Sequence, residues 1–242
     1  MLVRQGITYR IVGGTKFYHR AEIKDVLAYM RVVVNASDDL SLLRVINTPR
    51  RGLGDIAIGR LQTFAAENGI PLRNTLLEAD RVPGFTSSAS NACKRLGESL
   101  ARWTQECGLS AMVDPSVGVN SPAGGSAEAV AETVAEVAAE AGAEGAAGRH
   151  VPVAGLVRMV LAESGLRAAL EAERTLEAEG RLENLDEFVG VAEDFDRMNP
   201  QGTLTDFLQE ISLYADVDSL EAEQSAVTLM TLHNAKGLEF PV

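Results

Sequence analysis

Much of what a self-contained enzyme carries is missing from this chain of 242 residues. It contains no G-x-x-x-x-G-K-[ST] phosphate loop, no G-x-S-x-G nucleophile elbow and no H-E-x-x-H pair, so nucleotide hydrolysis, acyl transfer and zinc proteolysis have no local machinery. Its histidines, His19, His150 and His233, are too scattered for a metal site, and the two cysteines, Cys93 and Cys107, lack C-x-x-C spacing. They read as free thiols of a reducing cytoplasm. No run approaches the roughly 18 apolar residues of a membrane span, and the opening MLVRQGITYR has no apolar signal-peptide core. Aromatics are scarce at 5%, yet hydrophobic residues make up 46%, enough for the core of one large or two small domains.

Charge of one sign is also short. The net charge is -12, which argues against indiscriminate nucleic-acid binding, but the average hides an asymmetry. Residues 1–60 carry ten Lys+Arg against five Asp+Glu, a net of +5, whereas residues 181–242 carry three against thirteen, a net of -10. A basic first quarter on an acidic chain suggests a local anion-binding face.

The pattern along the chain is mostly helical. Residues 7–12 (ITYRIV) read as a strand ended by Gly13 and Gly14. A helix follows with Ile23, Val26, Leu27, Met30, Val33 and Val34 on one stripe. Residues 35–39 read as a helix stop and a new cap, and Leu40, Leu43 and Ile46 are expected to line a short second helix. Between residues 74 and 111 short helical runs alternate around a polar break at 83–90, with Trp103 in the core. A Pro/Gly/Ser linker at 114–126 leads to glutamates every four residues from Glu128 to Glu144 in an Ala/Val background. Like charges at i, i+4 weaken a helix, so 127–141 reads as a weak helix in an insertion. Order is expected again from Val153, with a break at Ser164 and Gly165, a charged helix over 166–179, an amphipathic one over 181–195 whose start Asn184 can cap, and a last helix capped by Thr203.

Two stretches carry more than packing requires. In TPRRGLGD (48–55), Pro49 ends a helix and Gly52, Leu53 and Gly54 make a tight turn before the next one. Helix, Gly-apolar-Gly, helix is how helix-hairpin-helix modules offer backbone N–H groups to a nucleic-acid phosphate: the glycines permit close approach, Leu53 anchors the turn, and the following helix adds its positive end. Arg50 and Arg51 supply counter-charge. A plain turn between helices with two solvated arginines is the alternative. The second stretch is VTLMTLHNAKGLEFPV (227–242), where a β-branched strand hands over to a loop bearing His233, Asn234, Lys236, Gly237 and Glu239. In open α/β sheets ligands bind at that end of a strand. The final Phe-Pro-Val reads like the entry to another strand.

Three blocks in this order, IVGGTKFYHRAEIKD from Ile11, NTPRRGLGD from Asn47 and VTLMTLHNAKGLEFPV from Val227, resemble the UvrD/PcrA/Rep group of superfamily 1 DNA helicases. RLENLDEF from Arg181 looks like a fourth block. The resemblance covers nearly all of the chain outside residues 112–150; it departs from the usual pattern at Thr8, where a proline is common, and in the Ala/Glu insertion.

The resemblance implies a fragment of an ATP-dependent helicase that moves 3′ to 5′ along single-stranded DNA in repair or replication, in the cytoplasm at the nucleoid. It implies a mostly α fold (α+β overall). Residues 1–48 would begin the second RecA-like motor domain (2A), 49–216 would form an inserted helical 2B subdomain, and 217–242 would return to 2A and end in helicase motif V. The P-loop and the Mg²⁺-binding carboxylates would lie before Met1, so the fragment alone is expected to have no ATPase activity and no catalytic residue or metal site of its own, while the parent uses ATP and Mg²⁺. Gly237 and Glu239 match positions at the nucleotide ribose. Thr231, His233 and Lys236 match positions on the single strand, and Gly52, Leu53 and Gly54, flanked by Arg50 and Arg51, match the hairpin that holds duplex backbone. Phe17, Tyr18 and Arg20 match a block expected to pack that segment against motif V. DNA, as single strand and duplex junction, is the expected partner, with repair or transcription proteins contacted through 2B. Competing readings are a regulatory protein-interaction module and part of a helicase–nuclease subunit.

Overall fold

The computed structural model describes residues 9–12, 17–109, 151–219 and 227–230. Among them the chain is mostly α. Strand β1 (Tyr9–Val12) pairs in parallel with β2 (Val227–Met230), Tyr9 opposite Val227 and Val12 opposite Met230, so residues from near the two ends of the sequence meet in one ladder. Between them come a 3₁₀ turn (Phe17–His19), α1 (Ala21–Val34), α2 (Asp39–Val45), α3 (Asp55–Asn68), the single turn α4 (Leu72–Thr75), a 3₁₀ turn (Ala79–Arg81) and α5 (Ser87–Glu106). After residue 150 follow α6 (Val153–Glu163), α7 (Leu166–Glu173), α8 (Leu176–Met198) and α9 (Leu204–Ser219). The linker at 114–126 and the glutamate repeat at 127–141 lie outside the described residues.

Helix α1 is the axis of the core. Beyond the expected stripe it buries Ala28, Tyr29 and Val32, so most of its circumference is covered by neighbouring helices, with Lys24 and Arg31 left exposed. Those neighbours are α2, α5, α6, α8 and α9. Its last carbonyls, which have no intrahelical donor, are met from elsewhere. Arg73 Nη1 donates to Val32 O at 2.9 Å, and the Thr104 hydroxyl lies 3.1 Å from Val33 O. One set of buried residues runs from Ile23 to Ile211. The expected joint between residues 48 and 49 therefore does not separate two cores.

Several helices begin and end as their sequences suggest. Asp38 accepts from Ser41 N at 2.9 Å to start α2. Thr203 Oγ1 accepts from Asp206 N while Asp206 Oδ2 accepts from Thr203 N, a reciprocal pair of caps for α9. Gly165, at φ +82°, separates α6 from α7.

Other expectations fail for identifiable reasons. Of the expected stripe Ile46 is buried and Leu43 half-buried, but Leu40 is 77% exposed, and α2 also turns Ser41, Leu42 and Val45 inward: the Asp38 cap sets the phase of the helix and leaves Leu40 outside. The polar break is shorter than 83–90, because Thr86 caps a 20-residue α5 that already contains Ser87–Ser90. The charged run over 166–179 is not one helix. It breaks at Arg174 (φ +50°), and Thr175 caps α8, which carries on through 195. Asn184 is thus a mid-helix residue, and its Nδ2 donates to Glu22 Oε1 at 2.6 Å, joining α8 to α1.

Candidate nucleic-acid interface

The turn between α2 and α3 is built around one asparagine. Asn47 Oδ1 accepts from Arg51 N at 2.7 Å and from Leu53 N at 3.3 Å, which curls the chain back over the end of α2. Gly52 occupies the left-handed region at φ +77°, where a side chain is strained. Leu53, fully buried, is the anchor expected from the sequence. Gly52 and Gly54 flank it at the exposed tip, and an added Cβ at either would meet nothing within 4 Å.

Gly54 is the informative one. It precedes α3 with φ -82° and ψ 170°, angles open to any residue. Ser, Thr, Asp or Asn would cap α3 better there. As it stands, no side chain caps α3, and by helix geometry the amides of its first turn lack intrahelical acceptors. Neither conformation nor internal packing calls for a glycine. A bare, uncapped tip suits a group that arrives from outside and accepts hydrogen bonds. Exposed Asp55 is the one carboxylate in that first turn.

The two arginines have parted roles. Arg50 is exposed and has no ion-pair or hydrogen-bond partner among the described residues. Arg51 points inward. Its Nη1 donates to Val45 O at 2.9 Å and Thr48 O at 3.0 Å, and its Nη2 to Ser164 O at 3.0 Å and to the Tyr29 hydroxyl at 2.5 Å. Arg51 thus serves the last carbonyls of α2 and the C-cap of α6 together, where a cation is favoured by the helix dipole. Its guanidinium holds the turn onto α1 and α6. Burial pushes the Tyr29 phenol above its ordinary value, with Arg51 pulling the other way; at neutral pH it is a hydroxyl donating to Thr48 O. Sequence reasoning missed Asn47, Tyr29 and Ser164. Asn47 stands in the quoted block, but nothing local marks Ser164, which lies 113 residues from Arg51.

Thr231, His233, Lys236, Gly237 and Glu239 lie outside the described residues, so the hairpin is the part of the expected site with a described geometry. Phe17 and Tyr18 are half-buried against the helical core, rings edge to face at 5.2 Å, with Arg20 over the Phe17 ring. Among the described residues no cluster of His, Cys, Asp and Glu could hold a metal ion, and no helix is long and apolar enough to cross a membrane.

Comparison with known proteins places this geometry in a family context. The family model described as the UvrD-like helicase C-terminal domain matches residues 1–242. The chain is 34% identical over 247 residues to the ATP-dependent DNA helicase PcrA of Bacillus subtilis, covering 100% of this chain and 28% of that protein. It is also 34% identical over 242 residues to the proteins of the same name from Staphylococcus epidermidis and Staphylococcus aureus, covering 99% of this chain and 27% of each. The chain therefore spans little more than a quarter of the length of these relatives.

Proposed function

We propose that this chain, which belongs to the UvrD-like helicase C-terminal domain family, is the part of an ATP-dependent DNA helicase that grips duplex DNA ahead of the motor. The observation that carries this reading is the Gly52-Leu53-Gly54 tip, anchored by a buried leucine, with no side-chain cap on α3 and open space before both glycines. Backbone N–H groups and the positive end of α3 would receive phosphate oxygens, and Arg50 would add charge. Such contacts position the duplex without reading its sequence. Arg51 acts behind them by holding the turn in shape.

The remaining assignments rest on the family. Residues 1–48 and 217–242 would belong to a RecA-like motor domain closed by β1 and β2, and 49–216 to an inserted 2B subdomain whose helices share their core with α1 and α2. Gly237 and Glu239 would meet the nucleotide ribose, and Thr231, His233 and Lys236 the tracking single strand. ATP and Mg²⁺ would serve the parent protein, which would step 3′ to 5′ in the cytoplasm at the nucleoid and meet repair or transcription proteins through 2B. The 242-residue chain alone would not hydrolyse ATP.

Gly54→Ala tests the hairpin without straining it. It should keep the melting temperature and weaken duplex binding about tenfold, the loss of roughly 1.4 kcal/mol of phosphate contact, while the parent's single-strand-stimulated ATPase persists. Unaltered duplex affinity would sink the hairpin reading.

A further inference from the structure

Beside the hairpin lies an open cleft of about 700 Å³ between the turn, α5 and the α6–α7 junction, lined by Arg50, Arg51, Arg95 and Arg102 against Glu98 and Glu163. On a chain of net charge -12 this concentration of guanidinium is out of character. Arg95 and Arg102 are seven residues apart on α5, two turns of one helix face. Like that of Arg50, the Arg95 side chain is exposed and has no ion-pair or hydrogen-bond partner among the described residues.

Arg102 is held differently. It forms an ion pair with Glu163, whose same oxygen accepts from Trp103 Nε1 at 2.6 Å. Glu163 is thereby occupied by two donors and fixes the Arg102 guanidinium at the cleft wall, half exposed. Trp103, the one aromatic residue of the lining, is fully buried and offers no face for a base to stack on. Cationic donors without a stacking surface select a phosphate backbone over nucleobases.

We propose that this cleft is a second backbone-phosphate site for nucleic acid, in which Arg95 and Arg50 take a phosphodiester of the same duplex that the Gly52–Gly54 tip holds. The proposal rests on the duplex-binding reading above and extends the contact from the tip of the turn to the face of α5. Arg51, spent on carbonyls, contributes shape and background charge.

The test uses the 242-residue chain and fluorescence anisotropy with a labelled duplex across a salt series. Arg95→Ala removes an exposed, unpartnered side chain, so the melting temperature should hold. Its duplex affinity should fall about three- to tenfold, and the slope of log K against log salt should become shallower by about 0.9, one phosphate contact. Arg50→Ala should do the same. Arg197→Ala, which removes an exposed arginine paired with Asp194 far along α8, should leave the slope alone. An unchanged slope for Arg95→Ala beside a weakened Gly54→Ala would overturn the cleft and spare the hairpin. A changed slope for Arg95→Ala beside an unaffected Gly54→Ala would do the reverse. If inorganic tripolyphosphate displaces the duplex from the unaltered chain while Arg95→Ala keeps its salt slope, the cleft takes free polyphosphate and the proposal also fails.

Discussion

Arg51 and Arg73 have no carboxylate partner among the described residues, and both donate hydrogen bonds mainly to carbonyl oxygens instead. Arg73 reaches Val32 O, Leu100 O at 3.0 Å and Thr104 Oγ1 at 2.5 Å from a site 7% exposed, and burial pulls its pKa below the ordinary value. What these side chains supply is a planar fork of donors, which lysine cannot copy. Arg51→Lys should therefore lower stability by about 2–3 kcal/mol despite keeping the charge, since several carbonyls and the Tyr29 hydroxyl lose their donor; chemical denaturation measures it. Cys93 gives a pH prediction. Burial raises its thiol from about 9 to about 11, so the folded state holds a proton that the unfolded chain releases. The stabilisation is whole below about pH 9 and is lost as the pH climbs toward 11. Cys93 should account for roughly 2–3 kcal/mol of the loss of stability to urea between those limits, the part missing from Cys93→Ala; Cys107, also raised to about 11, adds its own share. A thiol reagent at neutral pH should reach Cys93 only on unfolding.

Helices show where a sequence pattern is sufficient and where it is not. Caps made by near neighbours, such as Asp38 and Thr203, are visible in the sequence because donor and acceptor are three residues apart. The cap of α6 is not: Asp196, on α8, accepts from Val153 N and Ala154 N at 2.9 Å each across more than forty residues. Charged runs mislead for a related reason, since the break at Arg174 and the continuity of α8 depend on which face meets α1 and α6. Glycines within helices separate packing from propensity. At Gly97 in α5 a Cβ would stand 2.9 Å from Leu77 Cδ2 and 3.1 Å from Leu76 Cβ, while at Gly190 in α8 it would meet nothing. Gly190→Ala should raise stability by about 0.5–1 kcal/mol from propensity alone. Gly97→Ala should gain nothing or lose about 1 kcal/mol, because Leu76 is fully buried and cannot yield. Thermal melts of both variants, read together, check the contrast.

For the whole molecule, the helical content, the anchoring of Leu53 and the central place of Trp103 were legible from periodicity and turn chemistry. The sharing of one core between α1, α2 and the later helices was not, because periodicity records that a face is buried and not what buries it. A chain lacking residues 1–48 should accordingly fail to leave a folded 49–216 domain. Circular dichroism of that truncation should show little cooperative melting, and a sharp transition would mean the core divides after all. At the hairpin the motif was readable and the division of labour between Arg50 and Arg51 was not, since adjacent arginines look alike until one of them finds Ser164.

That last contact has a consequence for biosynthesis. Arg51 and Ser164 are 113 residues apart, so at the usual pace of about 5–20 residues per second a ribosome needs on the order of 6–20 s after making the turn to supply the oxygen that finishes it. During that interval the glycine tip exists without its far tether. Nascent chains arrested before Ser164 should show unprotected amides at Arg51 and Leu53 in hydrogen exchange, and protection should appear only after α6 has emerged. The glycine tip is thus completed by a residue translated long after it.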